Sequence, residues 1–170
     1  ADRTCRRLHF IGSSLVLLSN TVSPAKVTFN NSVVNYSLEG TGGQINAASG
    51  LTKVGTGTVG LNVPGAYSGS TVLSNGTVSL GANQTFANLT GNSALNVSSG
   101  APLMTLDNSL NTTFAGSIVG PLAVTKTGAG ALGITGSNSI ANTILAKAGE
   151  LILDSGVISQ NGYSSVGHTG

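Results

Sequence analysis

An eleven-residue sequence motif, called the phrase below, occurs in two related copies in this chain, once near the end of its first third and once in its last third. The first copy, Leu51–Leu61, reads LTKVGTGTVGL, and the second, Val124–Ile134, reads VTKTGAGALGI. The spacing continues beyond the phrase without an insertion, since Gly76 corresponds to Gly149. A repeat that keeps its spacing while its polar residues drift is typical of stacked structural units. The full copies extend over residues 51–80 and 124–153.

Short apolar or alternating runs recur along the rest of the chain, and Gly, Asn or Ser separates nearly every pair of them. No stripe with helical periodicity persists, and Gly, Ser, Thr and Asn are poor residues for a helix interior. This pattern predicts an all-β protein of many short strands. We interpret residues 1–170 as one β-solenoid of about seven coils, each of roughly 20–25 residues, so that the repeat offset is about three coils.

An antiparallel sandwich or barrel is the competing all-β fold, and its signal would be hairpins. Asn75-Gly76, between two apolar runs, is such a signal when taken alone. The equivalent pair in the second copy is Ala148-Gly149, and Ala tolerates the positive φ of a hairpin turn badly. A solenoid corner that needs only a glycine fits both copies. The apolar residues expected to point into the solenoid are Val59, Leu61, Val78 and Leu80, with Leu132, Ile134, Leu151 and Leu153.

Few side chains carry charge, since charged residues make up 7% of the chain and its net charge is +2. The basic residues form no stripe and aromatic residues do not interleave with them, which argues against nucleic-acid binding. Uncharged outer rows suit stacked coils, because like charges in neighbouring rungs repel one another. We predict that Lys53 and Lys126 are solvated heads whose stems cover strand surface. The alternative is an anion-binding row on one face.

The N-terminal stretch allows two interpretations. Arg6-Arg7, the apolar residues of 8–18 and the small residues of 23–25 resemble the parts of a signal peptide. Leu15–Leu18 also has the pattern of a short buried strand, which we favour. Cys5 is the only cysteine, so neither a disulfide nor a thiolate metal cluster can form within the chain. No segment approaches the roughly 20 apolar residues that a membrane helix needs.

No catalytic constellation is evident in the sequence. Asp107 and Glu150 would lie about two coils apart in a solenoid, roughly 10 Å, and Asp107-Asn108 is interpreted as a turn. His9 and His168 lie at opposite ends of the chain, so we do not expect a histidine pair for a metal. We predict no enzymatic activity, no catalytic residue, no cofactor and no metal site. The five carboxylates are Asp2, Glu39, Asp107, Glu150 and Asp154.

The phrase and the residues after it resemble the autotransporter-associated β-strand repeat, also called the passenger-associated transport repeat. In the first copy the resemblance continues through Tyr67-x-Gly69-x-Thr71 and then Gly76-Thr77-Val78-x-Leu80. The second copy keeps both ends of the pattern, but Ile140, Asn142 and Ile144 replace the Tyr, Gly and Thr of its middle. The resemblance implies a right-handed parallel β-helix in the exported passenger of a large bacterial surface protein.

It also implies a structural role that assists secretion and folding of the passenger, with display or adhesion at the cell surface. The implied partners are the remainder of a parent solenoid, of which this chain would be a piece, an outer-membrane barrel domain, and a glycan or cell-surface ligand. One alternative is part of a carbohydrate-active β-helix enzyme of the polysaccharide lyase or hydrolase kind. The other is a flat threonine-rich face that binds an ordered surface such as a glycan lattice or ice. Only Thr56-x-Thr58 suggests such a face, and Ala129-x-Ala131 replaces it in the second copy.

Overall fold

The structure, a computed structural model, describes residues 14–97 and 100–153 and the backbone of one further strand at 156–157. These residues form short strands and no helix, which confirms the predicted all-β class. The strands are β1 (Leu15–Leu17), β2 (Thr21–Val22), β3 (Val27–Asn30), β4 (Tyr36–Glu39), β5 (Gln44–Ala47), β6 (Leu51–Val54), β7 (Thr58–Leu61), β8 (Gly65–Leu73), β9 (Thr77–Leu80), β10 (Gln84–Gly91), β11 (Ala94–Asn96), β12 (Leu103–Asp107), β13 (Thr112–Phe114), β14 (Ile118–Gly120), β15 (Ala123–Thr127), β16 (Leu132–Ile134), β17 (Asn138–Ile140), β18 (Ile144–Ala146), β19 (Leu151–Leu153) and β20 (Gly156–Val157).

The strands stack in parallel into a three-sided solenoid, and every described strand pair is parallel. Face 1 contains β1, β4, β7, β9, β11, β14, β17 and β20. Face 2 contains β2, β5, the first parts of β8 and β10, then β12, β15 and β18. Face 3 contains β3, β6, the last parts of β8 and β10, then β13, β16 and β19. The chain passes through the faces in this order seven times, so coil 1 is β1–β3 and coil 7 is β17–β19.

The coils are unequal in length, and their average lies at the lower end of the predicted range. On face 1, Ser79 pairs with Asn96 and Asn96 pairs with Val119, so the first of these two steps uses clearly fewer residues than the second. The predicted offset of about three coils between the repeat copies is therefore wrong. Lys53 lies on β6, on face 3 of coil 2, whereas Lys126 lies on β15, on face 2 of coil 6. The copies are three coils and two faces apart.

The core is a set of inward rows that run from coil to coil. Val59, Leu61, Val78 and Leu80 are at most 2% exposed, and so are Leu132 and Ile134, as predicted. Leu151 and Leu153 pack against this core but are only partly buried. Their strand, β19, has one neighbour among the described strands, β16, so the described residues cover one side of it only.

Glycines turn the chain at the corners, and the structure confirms a corner rather than a hairpin at Asn75-Gly76. Gly76 has a φ of +74° and Gly149 a φ of +65°, whereas Asn75 and Ala148 keep negative φ. The strands on either side of Gly76 belong to different faces and do not pair with each other. A glycine in the left-handed region therefore changes the chain direction at the same place in both copies.

The N-terminal strand is present, but its predicted burial is partly wrong. Leu15–Leu17 form β1, which pairs with β4. Leu15 and Leu17 are 45% and 72% exposed, while Leu18 is buried. The reason is the twofold alternation of a strand, which turns Val16 and Leu18 inward and the other two leucines outward. The earlier part of the proposed signal-like stretch, including Arg6-Arg7, lies outside the described residues.

The middle of the repeat differs between the copies because it lies on different faces. In the first copy Tyr67, Gly69 and Thr71 belong to the nine-residue strand β8, which continues from face 2 to face 3. Tyr67 is buried and stacks on Phe86 of the next coil, with 5.7 Å between ring centroids. In the second copy the equivalent residues run from β17 to β18, across the corner between face 1 and face 2. That corner interrupts the strand, so the residues of β8 would not suit it.

Candidate functional site: the buried lysine cages

Lys53 is fully buried, and backbone oxygens enclose its ammonium group. Its Nζ donates to the carbonyl oxygens of Val54 and Gly55, at 3.3 and 2.7 Å, in the corner that follows its own strand. The third hydrogen bond, 3.1 Å long, goes to the carbonyl of Asn75 in the corresponding corner of the next coil. An ammonium group has three donors, and all three are used here. We call this arrangement the first cage.

Lys126 has the same surroundings in the second copy and is also fully buried. Its Nζ donates to the carbonyls of Thr127 at 2.5 Å, Gly128 at 2.8 Å and Ala148 at 3.2 Å. The acceptors lie one, two and 22 residues after the lysine, as they do for Lys53. This second cage joins coils 6 and 7 at the corner between faces 2 and 3. The first joins coils 2 and 3 at the corner between faces 3 and 1.

The prediction that these lysines are solvated heads is therefore wrong, as is the alternative of an anion-binding row. In the phrase, Lys53 is two positions after Leu51, and alternate residues on a strand point to the same face. Leu51 points inward, so Lys53 must do so too. Burying a charge costs several kcal/mol unless polar groups replace its hydration, and the carbonyl cage supplies those groups. The alternation was visible in the sequence, but the acceptors in the next coil were not.

The two cages differ in their charged neighbours, since a carboxylate acts on Lys126. No carboxylate among the described residues forms an ion pair with Lys53, and burial lowers the pKa of this lysine. Burial likewise lowers the pKa of Lys126, and the Asp107 carboxylate acts in the opposite direction. Asp107 Oδ1 accepts a hydrogen bond from Thr127 Oγ1 at 3.1 Å, which keeps the carboxylate on the outer surface next to the second cage. Partial charges of carbonyl groups therefore provide most of the compensation for each ammonium.

A buried asparagine lies under each cage, in the preceding coil. The carbonyl of Asn31 accepts the amide N–H of Gly57 at 2.9 Å, and the carbonyl of Asn108 accepts that of Gly130 at 2.8 Å. A Cβ on Gly55 or Gly128 would clash with one of these carbonyl oxygens. The first glycine of the Gly-x-Gly pair therefore allows close approach of the coil below, in addition to its positive φ of +84° or +74°.

The glycine that follows each cage is equally constrained. A Cβ on Gly76 would lie 2.9 Å from Lys53 Nζ and would clash with the carbonyl oxygen of Gly57. A Cβ on Gly149 would clash with the carbonyl oxygen of Gly130. Lysine, both glycines of the pair and the later glycine thus serve one corner that spans three coils. The lysine and glycines that both copies of the repeat share therefore hold neighbouring coils together.

The described carboxylates do not form a cluster. Asp107 ends a face 2 strand of coil 5, while Glu150 precedes β19 in coil 7. Glu39 is in coil 2, where it accepts a hydrogen bond from Ser37 Oγ at 2.8 Å. No group of three or more His, Cys, Asp or Glu side chains that could hold a metal ion occurs among the described residues. The potential catalytic or metal-ligating residues that lie outside the described part of the chain are Asp2, Cys5, His9, Asp154 and His168.

A row of threonines, which the sequence reasoning missed, lies on the outside of face 2. Thr85 pairs with Thr105, and Thr105 pairs with Thr125, so the three side chains stand on neighbouring coils about 4.8 Å apart. They recur at equal intervals along the chain, and this regular spacing was the available signal. A shallow groove of about 200 Å³ lies beside the row. Its lining includes Gln44, Asn46, Asn83, Thr85, Leu103 and Thr105.

No family model, no curated protein and no solved structure matches this chain. Among the described residues, no helix is long and apolar enough to cross a membrane. The stacked parallel strands place the chain in the class of parallel β-solenoids.

Proposed function

We propose that this chain is a structural segment of an exported bacterial passenger of the autotransporter kind, where it supports secretion and folding of the passenger. The proposal is supported by one observation above all. The lysine and the glycines of the repeat are residues that carry the resemblance, and their contacts stack one coil on the next. The lysine donates to carbonyls of two coils, and the glycines allow the coils to approach closely. Their chemistry is saturated by backbone groups, so they support a role in building the solenoid rather than in catalysis.

The composition agrees with this role. A chain with few charges and one cysteine gains its stability from aliphatic rows and backbone hydrogen bonds. In this proposal the partners are the remainder of the parent solenoid and an outer-membrane barrel domain. The location is the bacterial surface or the extracellular space.

The export route is tested by the coding sequence on either side of this segment. We expect an export signal upstream and a barrel domain downstream. A flanking sequence that encodes a cytoplasmic enzyme would contradict the proposal.

The role in secretion is tested by display. The chain, with an epitope tag at its N-terminus, is placed between a signal peptide and an outer-membrane barrel in a Gram-negative host, and antibody binding to intact cells is measured. We expect display of the wild type and a several-fold loss for Lys53→Met with Lys126→Met, because orphaned cage carbonyls destabilise the coils. The matched control is Lys26→Met with Lys147→Met, since both of these lysines are exposed. Equal display of all three chains would contradict a role of the cages in secretion.

A second candidate function is binding of a neutral glycan on face 2, and the threonine row favours it. The row offers hydroxyl groups at regular spacing, and the exposed Leu103 beside it offers an apolar contact for a sugar ring. The test is co-sedimentation with insoluble β-glucan. Thr85→Val, Thr105→Val and Thr125→Val together should abolish binding, while Thr28→Val with Thr52→Val, on the outside of face 3, should not. Failure of the wild type to sediment would remove this candidate.

A further inference from the structure

The ammonium group of each cage donates hydrogen bonds to only one of the two neighbouring coils. Lys53 uses two carbonyls of its own corner and one, from Asn75, of the next coil toward the C-terminus. Lys126 likewise uses two carbonyls of its own corner and one from Ala148 of the next coil. A neutral backbone hydrogen bond connects the same two coils in each case. The amide of Ser74 donates to the backbone carbonyl of Lys53, and the amide of Lys147 donates to that of Lys126, each at 2.9 Å.

The contact with the preceding coil has a different character. Neither ammonium group donates to it. It includes backbone bonds such as Gly57 N–H to Asn31 O at 2.9 Å and Gly130 N–H to Asn108 O at 2.8 Å, and side-chain bonds such as the one from Thr127 Oγ1 to the Asp107 carboxylate. A hydrogen bond from an ionised donor is roughly twice as strong as a neutral one. The two interfaces of a caged coil are therefore unequal, since only the C-terminal one carries a bond from the buried ammonium group.

We propose that each cage is a directional latch, which ties a coil to its C-terminal neighbour so that the ammonium becomes free only when that neighbour opens. Opening of the preceding coil leaves all three acceptors of the lysine in place. Opening of the next coil removes the third acceptor and, for Lys53, also Gly76, which lies against Nζ, and water then reaches the ammonium. This inference concerns the folded chain and holds whether or not the protein is exported, so its failure is distinct from failure of the proposed function.

The latch is tested by the reactivity of the lysine amines toward an N-hydroxysuccinimide ester of acetic acid. The neutral amine attacks the ester carbonyl, N-hydroxysuccinimide leaves, and the amine loses a proton as the amide forms. The folded full chain is labelled in a time course, and each lysine is quantified by peptide mass spectrometry. We expect Lys53 and Lys126 to react about 100-fold more slowly than the exposed Lys26 and Lys147. Equal rates for all four would overturn the proposal.

The direction is tested by variants in which the two cages serve as controls for each other. Gly76→Ala places a methyl group 2.9 Å from Lys53 Nζ and disturbs only the first cage. It should raise the labelling rate of Lys53 about tenfold or more and leave that of Lys126 unchanged. Gly149→Ala should do the converse. If either variant exposes both lysines equally, or neither, the latch is wrong.

Amide hydrogen exchange in the wild type gives a test that does not depend on folding of a variant. The amide of Ser74 reports opening of the C-terminal interface of the first cage, and that of Gly57 reports opening of the N-terminal one. The opening equilibrium derived from labelling of Lys53 should equal that of the Ser74 amide. If it follows the Gly57 amide, or if both amides open together, the coupling has no direction and the proposal fails.

Discussion

Lys53 and Lys126 occupy the same position in the repeated phrase but lie on different faces of the solenoid, face 3 and face 2. Both nevertheless donate to carbonyls one, two and 22 residues further along the chain. The phrase therefore specifies a strand, a corner and the next strand, and it does not specify a whole coil. Two corners of the triangular section accept it, because each needs the same left-handed glycine and the same inward lysine.

The inward rows predict a graded response to a buried charge. Leu80→Asp should destabilise the protein by more than about 3 kcal/mol, because Leu80 is 2% exposed in an aliphatic row. Leu153→Asp should cost less, since Leu153 is only partly buried. Ser79→Asp, on the outside of β9, is the matched control and should be nearly neutral. Urea unfolding followed by circular dichroism measures the three changes, and an equal loss for Ser79→Asp would show that the register is wrong.

Two glycines with almost the same φ separate backbone strain from crowding. Gly42 has a φ of +79° and an added Cβ would meet nothing within 4 Å, whereas Gly76 has a φ of +74° and a crowded Cβ position. Gly42→Ala should therefore cost about 1–2 kcal/mol for the left-handed conformation alone. Gly76→Ala should cost roughly 1–3 kcal/mol more, because neighbouring carbonyls must move. Equal unfolding free energies for the two variants would argue against the tight corner.

Stability should rise as the pH increases toward about 10. The pKa of each caged lysine is lowered from the usual 10.5, so over the interval up to that value the unfolded chain binds more protons than the folded one. Burial raises the pKa of Tyr67 from the usual 10.0, so stability should fall again above about pH 10 as the unfolded phenol ionises. Urea titrations across this range should show a maximum.

Variants can show which side chains cause the rise and which causes the fall of stability with pH. Lys53→Met with Lys126→Met should remove the rise, and Tyr67→Phe should remove the fall. A rise that persists in the double lysine variant would mean that other groups cause it.

No glycosidic-bond cleavage is expected from this chain. The described carboxylates lie on separate coils, and Asp107 is engaged with Thr127 at the outer surface. Incubation with pectin-type and glycosaminoglycan-type polymers, followed by a reducing-end assay, measures the activity. Product release by the wild type that disappears in Asp107→Asn would identify an enzyme and overturn the expectation.

The sequence alone determined the all-β class, the coil number, the inward rows and the glycine corners at Gly76 and Gly149. Apart from the coil number, which followed from a typical coil length, these are local properties, since they follow from twofold alternation along a strand and from the need for positive φ at single positions. Even the inward direction of Lys53 was implied by its parity with Leu51, although the general expectation that lysines face solvent outweighed it.

The tertiary structure decided which residues of different coils meet. The step from Ser79 to Asn96 is shorter than the step from Asn96 to Val119, so no fixed period identifies the neighbour of a given side chain. For that reason two features emerged only from the stacked coils, namely the carbonyl of Asn75 as the third acceptor of Lys53 and the face on which each repeat copy lies. Each depends on the accumulated lengths of the intervening corners, which the local pattern does not specify.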